Sequence, residues 1–157
     1  MSRCIMTSPM GPVRISGDAD GVYEIKVLDE VVAPTEAIPV ELSECVQQLT
    51  SYFKGELKQF TFKIQFRGTP FQQSIWRLLS NIPYGKTTTY LELSKLYGDE
   101  KAIRAVAQAN GKNPLWIVVP CHRVIGTDGA LTGYAGGLWR KEWLLNHEQQ
   151  LVQTSLF

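Results

Sequence analysis

The spacing of hydrophobic positions changes more than once along this chain. Near the N-terminus Val13 and Ile15 alternate with polar neighbours, and Val22, Tyr23, Ile25 and Val27 follow the turn-forming stretch "SGDADG". This pattern predicts an antiparallel hairpin. Leu42, Val46, Leu49 and Phe53 then recur at helical spacing until Gly55, which predicts a helix. "FTFKIQF" returns to period two and puts Phe60, Phe62, Ile64 and Phe66 on one face of a predicted strand, so a small α/β unit closes near Arg67. From "GTPFQQSIWRLLSNIPYG" the helical period resumes with Phe71, Ile75, Leu78 and Leu79, with Thr69 and Pro70 suited to the cap and first turn. Pro83 and Gly85 end it.

Two short helices, "TYLELSKLYG" and "EKAIRAVAQANG", follow around Gly98. Helix, tight turn, helix is the layout of a DNA-binding helix-turn-helix, and equally of ordinary packing in a small domain. On the second helix Ile103, Val106 and Ala107 fall on the inward face, and Lys101, Arg104, Ala105 and Gln108 on the outward one. The small outward residues either let the backbone approach another surface or simply reflect helix propensity.

Charge adds little to this picture: 16 basic against 15 acidic side chains leave a net charge of +1, so any basic footprint is local. Three cysteines, Cys4, Cys45 and Cys121, without a C-x-x-C pair argue against a disulfide framework or a structural zinc and fit a reducing compartment. The first residues lack the apolar core of a secretory leader, and no run of about 18 apolar residues could span a membrane. The expected location is the cytoplasm, or the nucleus in a host that has one.

Chemistry concentrates at "VVPCHRVIG", Val118 to Gly126. Cys121 ends an apolar run between a proline and a histidine, and three readings stand: a buried structural thiol, a metal ligand, or a nucleophile. Only His122 and His147 could join it on a metal, which disfavours zinc. For a nucleophile, His122 is adjacent, and "RKEWLLNHE" offers Glu142, His147 and Glu148, enough for a Cys-His-Glu relay. In an extended segment neighbours point apart, so His122 would need a water or a turn to reach the sulfur. Five glycines from Gly126 to Gly137 form either a plain connector or a loop whose backbone can approach a flat ligand.

Taken in order, "IPYGKTTTY", "RAVAQANGKNP", "VVPCHRVIG" and "LTGYAGGLWRKEWLLNHE" resemble the O6-alkylguanine-DNA alkyltransferases. The resemblance implies a small antiparallel sheet plus helix (residues 1–67, a supporting α/β domain), followed by a mostly helical, winged-helix or helix-turn-helix-like domain (residues 68–157) that carries the active site. It implies direct-reversal repair: an O6-alkylguanine is flipped from duplex DNA and its alkyl group passes irreversibly to Cys121, once per molecule. His122 would act as base through a water, Glu148 would orient it, and Asn113 would brace the active-site segments. Arg104 would enter the base stack, Tyr90 would help rotate the nucleotide, and Ala102 and Ala105 would let the helix sit in the minor groove. Tyr90 and the backbones of Cys121 and Val124 would contact the guanine edge, an N–H near Ala135 would meet O6, Tyr134 would wall the pocket, and Lys141 matches a lysine of the active-site loop. No cofactor and no metal are implied for this chain, since no histidine precedes His122 to complete the N-terminal zinc site of some members. A monomer acting on double-stranded DNA, with no membrane partner, is expected.

Trp139 departs from the pattern by its bulk; it either narrows the entrance to larger lesions or packs on the following helix. The retained Cys121 argues against a non-catalytic lesion binder. A thiol hydrolase would have to aim water at a thioether, a poor target. A helix-turn-helix transcription factor would read the major groove, which the near-neutral charge and small-residue face fit poorly.

Overall fold

The structure, a computed structural model, describes the backbone of residues 1–155 and the side chains of residues 1–149. It divides into two compact units, one of residues 1–67 with Pro114–Trp116, the other of residues 68–113 with the chain from Ile117 onward.

The first unit is an antiparallel three-stranded sheet, β1 (Ser2–Met6), β2 (Val13–Asp18) and β3 (Gly21–Val27), in that order, followed by helix α1 (Ser43–Phe53). Strand alternation turns Cys4, Met6, Val13, Ile15, Ile25 and Val27 inward, and α1 contributes Cys45, Leu49 and Tyr52 to the buried set. The hairpin read from the sequence is β2–β3, with a bulge between Ser16 and Gly17; β1 is an additional strand the reading lacked. The predicted strand through Phe60–Phe66 does not form. Only Ile64 bridges Val22, through Val22 N–H to the Lys63 carbonyl and Gln65 N–H to the Val22 carbonyl. Alternation here reflects an extended chain laid on the sheet edge: Phe62 is buried, but no second residue pair continues the ladder.

The second unit opens with α2 (Pro70–Leu79), started as the sequence suggests: the Thr69 hydroxyl accepts from Gln72 N–H and the Gln72 side chain accepts from Thr69 N–H. Strand β4 (Thr88–Thr89), α3 (Tyr90–Tyr97) and α4 (Ile103–Gly111) follow, then β5 (Val124–Ile125), parallel to β4, and α5 (Leu138–Ser155). Gly98, at φ +104°, turns the chain between α3 and a single tight turn, Glu100–Ala102, that leads into α4. Helix α4 packs on α2 and α3, burying Val106, Ala109 and Asn110, and the Trp76 indole donates to the Ala109 carbonyl at 2.9 Å. Ile103 and Ala107, expected inside, are only half-buried because they border the cleft described below.

Gly68 lies against this core: a Cβ there would stand 2.4 Å from the buried Trp76 ring. Gly68→Ala is therefore expected to destabilise the fold by about 1–3 kcal/mol, since the ring cannot move without repacking; an unchanged urea midpoint would refute it.

Candidate active site

Pro120 determines how Cys121 is presented. At φ −82° and ψ 63° it is the centre of an inverse γ-turn, closed by Cys121 N–H on the Val119 carbonyl at 2.8 Å. The ring favours that φ, and the proline nitrogen has no hydrogen to leave unsatisfied. The Asn113 amide donates to the same Val119 carbonyl at 2.8 Å, pinning the turn from the end of α4. Upstream, Ile117 holds φ +75°, a left-handed conformation that costs a β-branched residue about 1–3 kcal/mol. Downstream, Cys121–Arg123 make one helical turn rather than the extended segment assumed from sequence.

The thiol is 5% exposed, and burial pushes it up to about 11, partly offset by a hydrogen bond from Asn113 and by the Lys141 charge. Cys121 is thus protonated at rest. His122 is fully buried, and its Nε2 lies 2.8 Å from Glu148 Oε2. Burial shifts the imidazole down; the Glu148 charge opposes this, and the Arg123 and Lys141 charges reinforce it. Glu148 is held well below the carboxylate range, because hydrogen bonds and charge from His122 and Arg123 overcome the cost of burial. An ionised carboxylate can only accept, so Nε2 carries the hydrogen and Nδ1, which has no partner among the described residues, keeps its lone pair in the neutral ring.

Arg123, which sequence reasoning passed over, completes this cluster. Its Nε donates to Glu148 Oε1 at 2.8 Å, its Nη2 to Oε2 at 3.0 Å and its Nη1 to the Ile82 carbonyl at 2.6 Å. The signal lay in the sequence beside His122, but a buried partner 25 positions away is visible only in three dimensions. Of the acidic and imidazole candidates on α5, Glu148 alone reaches His122; Glu142 is exposed, and His147 stacks on Trp143 at 4.8 Å.

A cleft of about 730 Å³ is lined by Tyr90, Arg104, Tyr134 and Ala135 among others, within the roughly 300–1,000 Å³ typical of small-molecule sites. Cys121 is not in its wall, yet it is close enough to both Tyr90 and Tyr134 to raise their hydroxyls, after burial as the leading cause in each. Lys141 also stays out of the wall. Its buried ammonium donates to the Val124 carbonyl at 2.6 Å and the Thr132 carbonyl at 2.8 Å, and the Tyr90 hydroxyl donates to Thr132 as well. These three donations hold the glycine-rich loop at Val124, just before its first glycine, and at Thr132, near its middle. Burial brings Lys141 down to about 8, opposed by its attraction to Cys121.

Arg104 and Ala105 are exposed on α4, and Ala102 is half-buried at its start. Trp139 is 54% exposed, with the Arg140 guanidinium 4.7 Å from its ring, and is not part of the cleft wall. Among the described residues no group of three His, Cys, Asp or Glu could hold a metal, and no helix is long and apolar enough to cross a membrane.

Known proteins resemble this chain over nearly its whole length. The family profile described as "6-O-methylguanine DNA methyltransferase, DNA binding domain" matches residues 70–150, and its "ribonuclease-like domain" matches residues 1–66. A methylated-DNA–protein-cysteine methyltransferase of Methanosarcina acetivorans is 46% identical over 153 residues, covering 94% of this chain and 98% of its own. The protein of that name from Mycobacterium tuberculosis is 42% identical, with 95% and 93% covered. The crystal structure of M. tuberculosis O6-methylguanine methyltransferase matches with a TM-score of 0.83 at 42% identity, covering 96% of this chain and 94% of that one. The M. tuberculosis OGT structure in complex with DNA gives 0.84 at 43%, with 94% and 92% covered. With two profiles dividing almost the whole chain between them, this protein belongs to the 6-O-methylguanine DNA methyltransferase family.

Proposed function

We propose that Cys121 is the acceptor thiol of this protein, that His122 is its base and that Glu148 keeps the imidazole in the useful tautomer. The protein is a methylated-DNA–protein-cysteine methyltransferase: it binds DNA and reverses O6-alkylguanine damage directly. The observation that carries the residue assignment is the 2.8 Å contact of His122 Nε2 with Glu148 Oε2, which places the hydrogen on Nε2 and leaves a lone pair on Nδ1 of the neutral ring.

In the transfer, the Cys121 proton passes to His122 Nδ1 through a water, the sulfur attacks the O6-bound carbon, and the carbon–oxygen bond breaks. The electron pair of that bond stays with guanine, and the proton taken from the thiol, passed on from His122 through water, neutralises it. Charge around the sulfur favours this: the Lys141 ammonium attracts the thiolate as it forms, while Arg123 is paired with Glu148. The product is a thioether, which water does not cleave, so each molecule acts once.

Chemistry on a base requires access that a stacked duplex denies. In this reading Arg104 fills the vacated place in the stack, Tyr90 assists rotation, and the small residues Ala102 and Ala105 allow close approach in the minor groove. The extruded base enters between Tyr90 and Tyr134, facing the backbones of Cys121, Val124 and Ala135, while Lys141 and Asn113 brace the segments that carry them. Residues 68–157 then form the catalytic and DNA-binding domain, supported by residues 1–67. The protein works without metal or cofactor, as a monomer, in the cytoplasm or in the nucleus of a host that has one; three free thiols suit such a reducing location.

Intact mass after incubation with a duplex containing O6-methylguanine tests the assignment. One methylene mass on the wild type and none on Cys121→Ser is expected. Many lesions consumed per molecule, or tight binding without an adduct, would overturn it.

A further inference from the structure

Glu148 satisfies two partners at once. Oε2 accepts both from His122 Nε2 at 2.8 Å and from Arg123 Nη2 at 3.0 Å, while Oε1 accepts from Arg123 Nε at 2.8 Å. All three side chains are buried. A carboxylate facing an imidazole alone in such a setting would draw a second proton onto the ring, because an imidazolium–carboxylate pair has no net charge to desolvate. That charged ring could orient the site but could not take a proton from Cys121. Here the guanidinium already neutralises the carboxylate, through the planar two-pronged geometry that lysine cannot reproduce.

We infer that Arg123 is a positioning residue of alkyl transfer: by taking up the charge of Glu148 it leaves His122 aligned but uncharged, and so able to accept the Cys121 proton at neutral pH. Its third donation, Nη1 to the Ile82 carbonyl at 2.6 Å, anchors the guanidinium to the segment after α2, so the pairing does not depend on α5 alone.

The other groups around His122 are compatible with this role. From α5, besides Glu148, comes Lys141, a cation that also disfavours a charged ring. Tyr84, whose ring centroid is 5.7 Å from the Arg123 guanidinium, is pushed up to about 12 by burial and then by the Glu148 charge, offset by Arg123. Tyr134 is likewise raised, by burial first. Both tyrosines are neutral at pH 7, as is Cys121, and Arg123 is a cation paired directly with Glu148.

The inference rests on the transfer reading above, and wild-type adduct formation tests that reading separately. Single-turnover transfer rates against pH then test Arg123. In Arg123→Met the acid limb should move up by about one pH unit or more, and in Arg123→Lys by less than about half a unit, because the charge is retained. A folded Arg123→Met with the wild-type acid limb would overturn the inference while leaving the transfer reading intact. Should Arg123→Met not fold, nitrogen-15 NMR of the wild type decides. His122 should be a neutral Nε2–H tautomer at pH 7 and stay predominantly neutral at the pH where an ordinary histidine, of pKa about 6.5, is half protonated, and a charged ring at pH 7 would overturn the proposal.

Discussion

Glu148→Leu is expected to be the most damaging single change to stability, costing about 3–5 kcal/mol, because it strands the buried Arg123 guanidinium without its carboxylate. The loss comes from an unpaired buried charge, so removing the charge as well should restore part of it. Arg123→Met combined with Glu148→Leu is therefore expected to be more stable than Glu148→Leu alone, since an apolar replacement of similar volume avoids the desolvation penalty. The two sites are in contact, and their effects should be strongly non-additive. Urea unfolding of the wild type, both single variants and the double variant measures this coupling; a Glu148→Leu protein within about 1 kcal/mol of wild type would rule it out.

Acid carries the same information. The folded-state value of Glu148 lies below its ordinary 4.5, so its contribution to stability is present above about pH 4.5 and is lost as pH falls toward the folded value. Wild-type stability should decline through that window more steeply than that of Glu148→Leu, which has no carboxylate to protonate.

These couplings mark the boundary of what was legible in the sequence. Local signals read well: the β2–β3 hairpin announced itself by alternation, and Thr69 with Gln72 closes its capping box within four residues. Strand β1 escaped because its inward side chains, Cys4 and Met6, make too short an alternation to stand out before pairing with Ile15 and Val13. The Phe60–Phe66 alternation misled for the opposite reason. Period two requires only an extended chain, whereas a strand also needs a ladder, and here the edge of β3 supplies a partner to a single residue. At the site, the pairing of His122 with Glu148 was legible through motif and chemistry. The buried roles of Arg123 and Lys141 were not, since a charged side chain reads as solvated until the carbonyls and carboxylate that receive it are brought from 9 to 41 positions away.

The largest effect on rate with the site still folded is expected for His122→Gln. The glutamine amide can donate to Glu148 as the ring does, but it offers no base. Single-turnover transfer near pH 7 should fall by roughly 10²–10⁴, the usual worth of a positioned base. The thiol itself supplies the diagnostic pH dependence. With Cys121 raised to about 11, the thiolate fraction in the variant grows about tenfold per pH unit well below that value, so its rate should climb steadily with pH. Wild-type rates, carried by a base already neutral, should be far flatter. The deficit should narrow between about pH 7 and pH 9, less steeply once Lys141, at about 8, loses the charge that attracts the thiolate. Rapid-quench measurement of adduct formation across that range checks this. A deficit of the same size at both ends would mean that His122 aligns the site without moving the proton, and no deficit at all would remove it from the chemistry.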